Sequence, residues 1–344
     1  MRKQDCQAFL IFAKYWHHVN NFPMHRFKAT IIFLSIVLTV NAQQLPIFTQ
    51  YRENAGYINP ASLPGNYFVY NTNMALGMSY RLQWIGMKNP PKTQIIHGDF
   101  MSTGLNTNIL SGFTLVNDQT GPTGFTGLYG RIGGVISQNP EYGGFSAALS
   151  LGLVQFQLRA TDLILRDDND ILATEDRRKL FPDAGLGIYG WKLLDWGGRS
   201  EDYIYGGISI PQVLGLDLSL SDPNGDIAVS RVRHYYANAG LYHFFSDFSF
   251  IESSVWVKYV PNAPVNADLN IRYQINEFFW LGIGASSQAN LHAETGFCIG
   301  DLRDSAFRIG YGFDYSFSSW GPLAGTTHEI NLSYAFKKKS NRYF

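Results

Sequence analysis

A glycine-rich stretch is the closest approach to a cofactor-binding motif in the sequence. Gly185 to Gly190, GLGIYG, has the spacing of a dinucleotide-binding turn, in which glycines let the backbone approach a pyrophosphate. That turn must follow a buried strand and begin a helix, whereas here a proline-containing loop precedes the glycines and the strand-like stretch WKLLDW follows them. We therefore interpret them as small residues within a strand and predict no cofactor.

An acidic stretch could bind a cation. Arg166 to Asp176, RDDNDILATED, clusters carboxylates as a calcium-binding loop does. Calcium loops place oxygen ligands at fixed intervals around a turn glycine, but Leu172 interrupts the spacing here and the glycine is missing. We predict a solvated loop and no metal site, with cation binding as an open alternative.

The histidines offer one further route to catalysis. Three of the eight, His17, His18 and His25, lie within residues 1–42, and the other five are scattered along the chain, without partners at the spacing of metal ligands. The chain also has no G-x-S-x-G elbow that would expose a nucleophilic serine. A lipid hydrolase assembled from distant strands, with His292 or His328 as the base, is therefore only an alternative. We predict no catalytic residue and no enzymatic activity.

The elements that position these residues are strands, because polar and apolar residues alternate with a period of two. In NADLNIRYQIN, Asn266 to Asn276, one row is polar and the other is apolar. Successive side chains of a strand point to opposite faces, so this segment has one polar and one apolar face. The same alternation recurs in SFIESSVWVKYV, SAFRIGYGFDYSF and HEINLSYAF. The pattern predicts an all-β fold.

The alternation predicts about 14 strands of about 10 residues or more, which is the length of a strand that crosses a membrane. Strands of soluble proteins average about 5–6 residues. Strand length therefore favours a transmembrane antiparallel β-barrel over a secreted soluble sandwich, which is the alternative fold. The predicted strands begin near Val69, Lys92, Thr107, Gly124, Gly143, Ala184, Glu201, Arg231, Phe248, Pro264, Glu277, Asn290, Ser305 and Gly325.

The lengths of the connections indicate how such a barrel is oriented. Outer-membrane barrels have short periplasmic turns and longer outer loops. The longest predicted connections, Ala160 to Asp183 and Gly215 to Ser230, follow odd-numbered strands, whereas even-numbered connections such as Ser246 to Asp247 are tight. We therefore expect both long loops outside the cell and both chain termini on the periplasmic side.

Charged residues within the predicted strands belong to the polar rows. A lysine or arginine that faces lipid at mid-membrane costs about 2–4 kcal/mol, so these residues should face the inside of the barrel. The predicted lumen-lining residues are Glu252, Lys258, Arg272, Arg308 and Asp314. The apolar rows then contact outer-membrane lipid.

The N-terminal region has the features of an export signal. Met24 to Ala42 combines two basic residues with an apolar core and small residues before a cleavage point. We expect residues 1–42 to be removed, with Met24 as a candidate translation start, and we predict localisation in the outer membrane. The rest of the chain has no long basic stripe, which argues against a nucleic-acid partner.

Residues 43–67 differ in kind from the predicted strands. The segment is polar and aromatic, contains Pro46, Pro60 and Pro64, and does not alternate, so it should not form a barrel strand. We expect it to enter from the periplasmic side and either to plug the lumen or to bind a partner there. The barrel is predicted over residues 68–336, and a basic tail follows it over residues 337–344.

The sequence also resembles a known family. QLPIFTQYRENAGYINPAS is similar to the N-terminal signature of the PorP/SprF outer-membrane proteins of the type IX secretion system. The resemblance continues at YRLQW and in GYGFDYSFSSW and THEINLSYAF, whereas residues 52–55 and the basic tail depart from it. The residues that correspond best are Gln50, Tyr51, Asn59, Pro60 and Ala61 in the first motif, and Tyr80, Arg81 and Trp84 in the second.

The resemblance implies an outer-membrane barrel of a Bacteroidota-type bacterium that works with the type IX apparatus. Some relatives export or hold a large surface adhesin used in gliding motility. The resemblance therefore implies type IX components as partners at the periplasmic face, bound by the first motif, and a secreted surface protein as cargo. It implies neither catalysis nor a cofactor. The alternative is a FadL-like channel for hydrophobic small molecules, which would need an apolar pocket in the lumen.

Overall fold

The computed structural model describes residues 47–104, 107–159, 176–195, 201–214, 220–222, 225–227, 232–319 and 321–338. Fourteen strands pair antiparallel with their neighbours, and the first pairs with the last to close a barrel. The predicted antiparallel barrel of about 14 strands is confirmed. No helix in this part of the chain is long and apolar enough to cross a membrane.

Strands and helices are numbered in chain order. The barrel consists of β1 (Met74–Leu82), β2 (Lys92–Thr103), β3 (Asn108–Thr120), β4 (Thr123–Ile136), β5 (Gly143–Leu158), β6 (Arg177–Asp195), β7 (Glu201–Ile210), β10 (Tyr235–Ser246), β11 (Ser249–Tyr259), β12 (Asn266–Gln274), β13 (Phe279–Ser286), β14 (Asn290–Asp301), β15 (Ser305–Ser316) and β16 (Thr327–Phe336). A separate hairpin consists of β8 (Leu220–Asp222) and β9 (Gly225–Ile227). The helices are α1 (Ala55–Ile58), α2 (Tyr67–Tyr70) and α3 (Gly321–Ala324).

The first strand begins later than the alternation predicts. The expected start near Val69 falls within helix α2, and β1 begins at Met74. Three of the four residues of α2 are buried, whereas a strand in the wall of a barrel would expose every second side chain to lipid. The barrel therefore spans residues 74–336 instead of residues 68–336.

Strand β6 begins at Arg177, not near Ala184, so the predicted loop over residues 160–183 is shorter. The proline of this stretch, Pro182, pairs only with β5, because β7 pairs with β6 only from Leu186 onward. Proline is tolerated in a strand that has a free edge. Residues 160–175, including most of the acidic stretch, lie outside the described residues. Most of the second predicted loop also lies outside them, apart from the β8–β9 hairpin.

The two rows of each strand have opposite environments. In β12, Leu269 and Ile271 are 63% and 51% exposed, whereas Asn270 and Arg272 are 3% and 2% exposed. Soluble proteins bury most of their large aliphatic side chains, whereas a barrel in a membrane exposes them to lipid. The apolar row is therefore the lipid-contacting face, and the polar row faces the lumen.

The two ends of the barrel differ in the length of their connections. The short-loop end is the end where β1 begins and β16 finishes, and its connections include residues 104–107, 247–248 and 302–304. The opposite, long-loop end carries residues 159–176 and 211–234, which join β5 to β6 and β7 to β10. This alternation of short and long connections is typical of outer-membrane barrels, whose short turns face the periplasm.

Candidate functional site in the barrel lumen

Residues 47–73, which we call the plug, lie inside the barrel. They form helices α1 and α2, which are connected by turns. Most of their side chains are buried against the barrel wall. The buried ones include Phe48, Thr49, Gln50, Tyr51, Arg52, Asn54, Ile58, Asn59, Ala61, Leu63, Asn66, Tyr67, Phe68 and Tyr70. The segment predicted to plug the lumen or to bind a partner therefore lies within the lumen.

The plug runs from the long-loop half of the lumen to the short-loop end. Thr49 contacts Glu329 and Asp314, which lie near the long-loop ends of β16 and β15. At the other end of the plug, Asn73 Nδ2 donates to the carbonyl oxygen of Lys338 at 3.1 Å, beyond the short-loop end of β16. The expectation that the segment starts at the periplasmic side is therefore corrected, because the groups that bind its first described residues lie toward the long loops.

Glu329 fixes the beginning of the plug. Its carboxylate accepts the backbone N–H groups of Thr49 at 2.8 Å and Gln50 at 3.0 Å, and it accepts Arg81 Nη1 at 3.1 Å. Arg81 also pairs with Asp314, which accepts the Thr49 hydroxyl at 2.8 Å. A buried carboxylate needs such donors to offset the loss of its hydration. Glu329 therefore binds the plug through its backbone, and Asp314 binds it through the Thr49 hydroxyl.

A row of alternating charges joins the middle of the plug to the wall. Two of its members come from the plug, and the others come from β11, β12, β14 and β15. We call it the ion chain, and its members in order of contact are Glu294, Arg52, Glu252, Arg272, Glu53 and Arg308. Glu252 Oε2 lies 3.1 Å from Arg52 Nε and 2.9 Å from Arg272 Nη2. Glu53 Oε1 lies 3.2 Å from Arg272 Nη1.

The ion chain is balanced in charge and nearly sealed from solvent. It has three arginines and three glutamates, and none of these side chains is more than 10% exposed. Burial alone would raise the pKa of Glu53, but the guanidinium groups of Arg308 and Arg272 hold that pKa below its ordinary value. Removing one partner of a buried ion pair costs about 3–5 kcal/mol because an uncompensated charge remains. Loss of any one member of the ion chain should therefore weaken the attachment of the plug to the wall.

A further wall arginine binds the plug backbone. Arg131 Nη1 donates to the carbonyl oxygens of Pro60 at 2.7 Å and Ser62 at 2.8 Å, and Arg131 Nη2 lies 2.8 Å from Asp99 Oδ1. Gly56 of α1 lies against the two charged side chains, and a Cβ at this position would overlap the Asp99 carboxylate. Glycine permits this close approach because it has no side chain.

Asn59 binds the wall at a place where two strands have glycines. Asn59 Nδ2 donates to the Ile188 carbonyl oxygen at 3.0 Å, and its Oδ1 accepts the Ala61 N–H at 2.9 Å. A Cβ on Gly187 or on Gly207 would overlap the Asn59 side chain. The GLGIYG stretch is therefore part of strand β6, where a glycine accommodates the plug, and it is not the beginning of a helix.

An aromatic cage encloses the plug near the short-loop end. The ring of Phe68 lies between 5.5 and 6.4 Å from the ring centroids of five wall residues. These residues are Tyr189, Trp191, Tyr203, Tyr205 and Tyr242. Aromatic pairs contribute about 0.5–1.5 kcal/mol each beyond the burial of their surface. Phe68 is therefore the principal apolar anchor of the plug.

The residues expected to bind a partner lie inside the lumen. The first-motif residues Gln50, Tyr51, Asn59, Pro60 and Ala61 are all buried. Tyr51, for example, stacks on Trp256 with ring centroids 5.0 Å apart and donates its hydroxyl to Ser254 Oγ at 2.7 Å. Another protein cannot reach these side chains while the plug is in place, because the barrel wall already contacts them.

The three residues of the second motif occupy three different environments. Tyr80 is 41% exposed on the outer face of β1, whereas Arg81 is buried in the lumen. Trp84 lies beyond the strand with a φ of 58°, and its N–H donates to Thr327 Oγ1 at 3.2 Å. Alternation along β1 separates the first two residues, so Arg81 contacts the plug and Tyr80 points away from it.

The charged residues predicted to line the lumen all point into the barrel, and these are Glu252, Lys258, Arg272, Arg308 and Asp314. Three of them belong to the ion chain, and Asp314 binds Thr49 and Arg81. Lys258 pairs with Asp268 and lies 4.1 Å from the ring centroid of Trp256. Most of these charges contact the plug, which alternation along single strands could not indicate.

The two histidines considered as catalytic bases lie on opposite faces of the wall. His292 hydrogen-bonds Asn270 within the lumen. On the outer face, His328 Nδ1 lies 2.6 Å from the Tyr311 hydroxyl, and His328 Nε2 lies 3.0 Å from Thr326 Oγ1. These partners differ from the serine and carboxylate of a catalytic triad. Among the described residues, no group of three histidine, cysteine or acidic side chains could hold a metal ion.

Comparison with solved structures identifies the fold. A mutant of the TodX monoaromatic hydrocarbon channel superposes with a TM-score of 0.52 at 13% identity, over 83% of this chain and 94% of that chain. The Pseudomonas putida toluene transporter TodX has a TM-score of 0.48 at 11% identity, over 86% and 99% of the two chains. A FadL homologue from Pseudomonas aeruginosa has a TM-score of 0.45 at 10% identity, over 82% of this chain and 97% of that chain.

Comparison with protein families identifies the group to which the chain belongs. No curated protein matches the sequence. The family described as type IX secretion system membrane protein PorP/SprF matches residues 40–334, which include the plug and nearly the whole barrel. The family resemblance noted in the sequence motifs is thereby confirmed. The chain belongs to the PorP/SprF family of type IX secretion system membrane proteins.

Proposed function

We propose that this protein is a non-enzymatic outer-membrane component of the type IX secretion system that binds a cargo protein and does not conduct it through its own lumen. It would assist the export or the surface anchoring of that cargo, and a large gliding adhesin is the proposed example. Family membership supports the secretion context. The position of the plug supports the absence of conduction.

The plug is the observation that carries the proposal. A polypeptide passing through the lumen would have to displace the ion chain, the Glu329 contacts and the aromatic cage together. Each buried charge left without its partner costs several kcal/mol, and removing Phe68 from its cage costs a comparable amount. The combined cost of unpairing these charges and removing Phe68 exceeds the free energy of unfolding of an ordinary domain, which is about 5–15 kcal/mol. The barrel is therefore proposed to act through its outer surfaces.

The two ends of the barrel are proposed to serve different partners. The long-loop end would face the cell exterior, where residues 160–175 and 215–230 would contact the cargo. The short-loop end would face the periplasm, where other type IX components would bind. Export of the chain itself is proposed to use the signal sequence Met24 to Ala42, which lies outside the described residues.

A channel for hydrophobic small molecules fits the geometry less well. The likeness to the TodX channel concerns the fold alone, and such a channel needs an apolar pocket in its lumen. Here the ion chain crosses the lumen, and two apolar hollows lined by described residues, of about 1080 and 920 Å³, open on the outer face. A lipid hydrolase is supported still less, because the partners of His292 and His328 are not those of a catalytic base.

The proposal is tested by exchanging the outer loops in a cell that displays the cargo. We expect that replacing residues 160–175 and 215–230 by glycine-serine linkers of the same length abolishes display and leaves the barrel assembled. Replacement of residues 260–265, a connection at the same end, is the control and should leave display intact. Affinity purification from outer membrane in mild detergent should recover type IX components with each variant. Undiminished display without both long loops, or recovery of no type IX component, would contradict the proposal.

A further inference from the structure

The outer face of β2 to β6 changes from apolar to polar toward the long-loop end. Strand register places its outward side chains in rows that run across the five strands. One row is apolar and consists of Ile96, Leu115, Leu128, Leu153 and Pro182. Each of its four aliphatic members is more than 40% exposed, as expected of a surface covered by acyl chains.

The next row toward the long-loop end is polar. It consists of Gln94, Asn117, Thr126 and Gln155, with Leu180 at its end. Asn117 Nδ2 donates to Gln94 Oε1 at 3.1 Å, and Thr126 Oγ1 donates to Asn117 Oδ1 at 2.9 Å. Same-face rows are about 7 Å apart along a strand. The boundary of the hydrocarbon therefore lies between these two rows.

The following row contains bases and amides. Its members are Lys92, Gln119, Gly124, Gln157 and Arg178. Lys92 and Arg178 are exposed, and Arg159 lies beside the row, where its Nη2 donates to the Gly121 carbonyl oxygen at 3.1 Å. None of the outward side chains in the polar row and this row is acidic. We call the two polar rows the headgroup band.

The opposite side of the barrel lacks this band among its described residues. Outward positions near the long-loop ends of β12 to β15 are apolar or aromatic, as at Ala267, Ala285, Leu291 and Tyr315. The bases therefore occupy one side of the barrel, and the row of Gln94, Asn117, Thr126 and Gln155 separates them from the apolar row. A general need for solubility would not confine them to that side.

We propose that the headgroup band binds phosphorylated headgroups of glycolipids in the outer leaflet. Lysine and arginine bind phosphate through charge-assisted hydrogen bonds, and the amides between them can donate to and accept from sugar hydroxyls. The apolar row below the band would contact the acyl chains of the same lipids. This inference uses the orientation of the barrel and is independent of its role in secretion.

Lipid retention by the purified full-length protein tests this inference. The double variant Lys92→Gln with Arg178→Gln removes both exposed bases of the band. Lys192→Gln is the matched control, because Lys192 is an exposed, outward residue of the same strand as Arg178 at the short-loop end. The probes are a bis-phosphorylated lipid A and the same glycolipid after removal of its phosphates, each added in detergent and counted on the protein by native mass spectrometry.

We expect the unaltered protein and Lys192→Gln to retain the phosphorylated glycolipid equally. The double variant should retain it about tenfold less, since two exposed ionic contacts are lost. The dephosphorylated glycolipid should bind all three proteins weakly. Equal retention by the double variant, or equal retention of both glycolipids by the unaltered protein, would overturn the proposal. Neither result would alter the outcome of the cargo-display experiment, so the two proposals fail separately.

Discussion

Arg272 on strand β12 donates from Nη1 to Glu53 Oε1 of the plug at 3.2 Å, although 219 residues separate the two in the sequence. Arg272 also lies 2.9 Å from Glu252 through Nη2, so one side chain joins a plug carboxylate to a wall carboxylate. The contact makes the plug an integral part of the folded barrel. Changes in the wall should therefore affect the plug, and changes in the plug should affect the wall.

Replacing Arg272 by leucine should destabilise the folded protein. On alternation alone, a leucine facing the lumen would be tolerated because it adds no charge to the lipid face. In the structure, the substitution removes the cation between Glu53 and Glu252, and loss of such a partner costs about 3–5 kcal/mol. Ile271→Leu, on the outer face of the same strand, is the control and should have little effect. Circular dichroism monitored during heating gives the unfolding midpoint of each variant. Equal midpoints for Arg272→Leu and Ile271→Leu would contradict the assigned contacts.

The close approach of helix α1 to the wall makes Gly56 sensitive to any side chain. Gly56→Ala would place a methyl group within the Asp99 carboxylate, so either the plug or the Asp99 and Arg131 pair must move. We expect a loss of roughly 1–3 kcal/mol, as for an overpacked core. Gly65→Ala is the control, because the nearest atom to its Cβ is the Arg52 carbonyl oxygen at 3.6 Å. Denaturant titration should give a lower unfolding midpoint for Gly56→Ala than for Gly65→Ala. Equal midpoints would show that α1 does not lie against Asp99 and Arg131.

Removal of the Phe68 ring should loosen the plug near the short-loop end. Phe68→Ala empties the aromatic cage, and comparable substitutions cost about 3–5 kcal/mol. Val69→Ala, at the half-buried next position, should cost less because fewer atoms leave a packed site. Limited proteolysis measures how readily a protease that reaches the short-loop end cleaves the plug. Cleavage within residues 60–73 should accelerate in Phe68→Ala and not in Val69→Ala, and resistance of both variants would argue against the cage as an anchor.

The contribution of Glu53 to stability should depend on pH in a defined direction. Arg308 and Arg272 lower the pKa of this carboxyl below its ordinary value of 4.5, against the effect of burial, and Arg52 and His97 act in the same sense. A carboxyl whose pKa is lower in the folded state stabilises that state above its unfolded pKa. The stabilisation is lost as the pH falls through the folded pKa, when Glu53 takes up a proton.

Comparison of the unaltered protein with Glu53→Gln isolates this effect from the other carboxyls. The difference in unfolding free energy should be constant from pH 7 to about pH 5 and should decrease below the ordinary pKa of 4.5. A difference that increases as the solution is acidified would mean that Glu53 is not ion-paired in the folded protein.

The strands and their faces could be predicted from the sequence because alternation is a local property. Leu269 and Arg272 are three residues apart in one strand, and an odd separation alone assigns them to opposite faces. The two largest errors in strand position occurred where tertiary contacts override the local pattern. Residues near Val69 fold as a helix in the lumen, and Pro182 is tolerated in β6 because that stretch has a free edge.

The plug contacts could not be predicted from alternation, because they join residues that are far apart in the chain. The sequence did contain one usable signal, which is the presence of glycines at inward positions of strands. Gly187 faces Asn59 and Gly310 faces Gln50, and a Cβ on either glycine would overlap the plug side chain. Inward glycines indicate that something approaches the wall closely, but they do not identify the segment.

Ion conductance across a planar lipid bilayer tests the central claim that the plug closes the lumen. The full-length protein should insert without a stable current, because residues 47–73 lie in the lumen and contact its wall. A variant lacking residues 47–73 should form a steady pore, since wall charges such as Glu252 and Arg308 would then line a water-filled channel. A stable current through the full-length protein equal to that of the deletion variant would contradict a closed lumen and the function proposed from it.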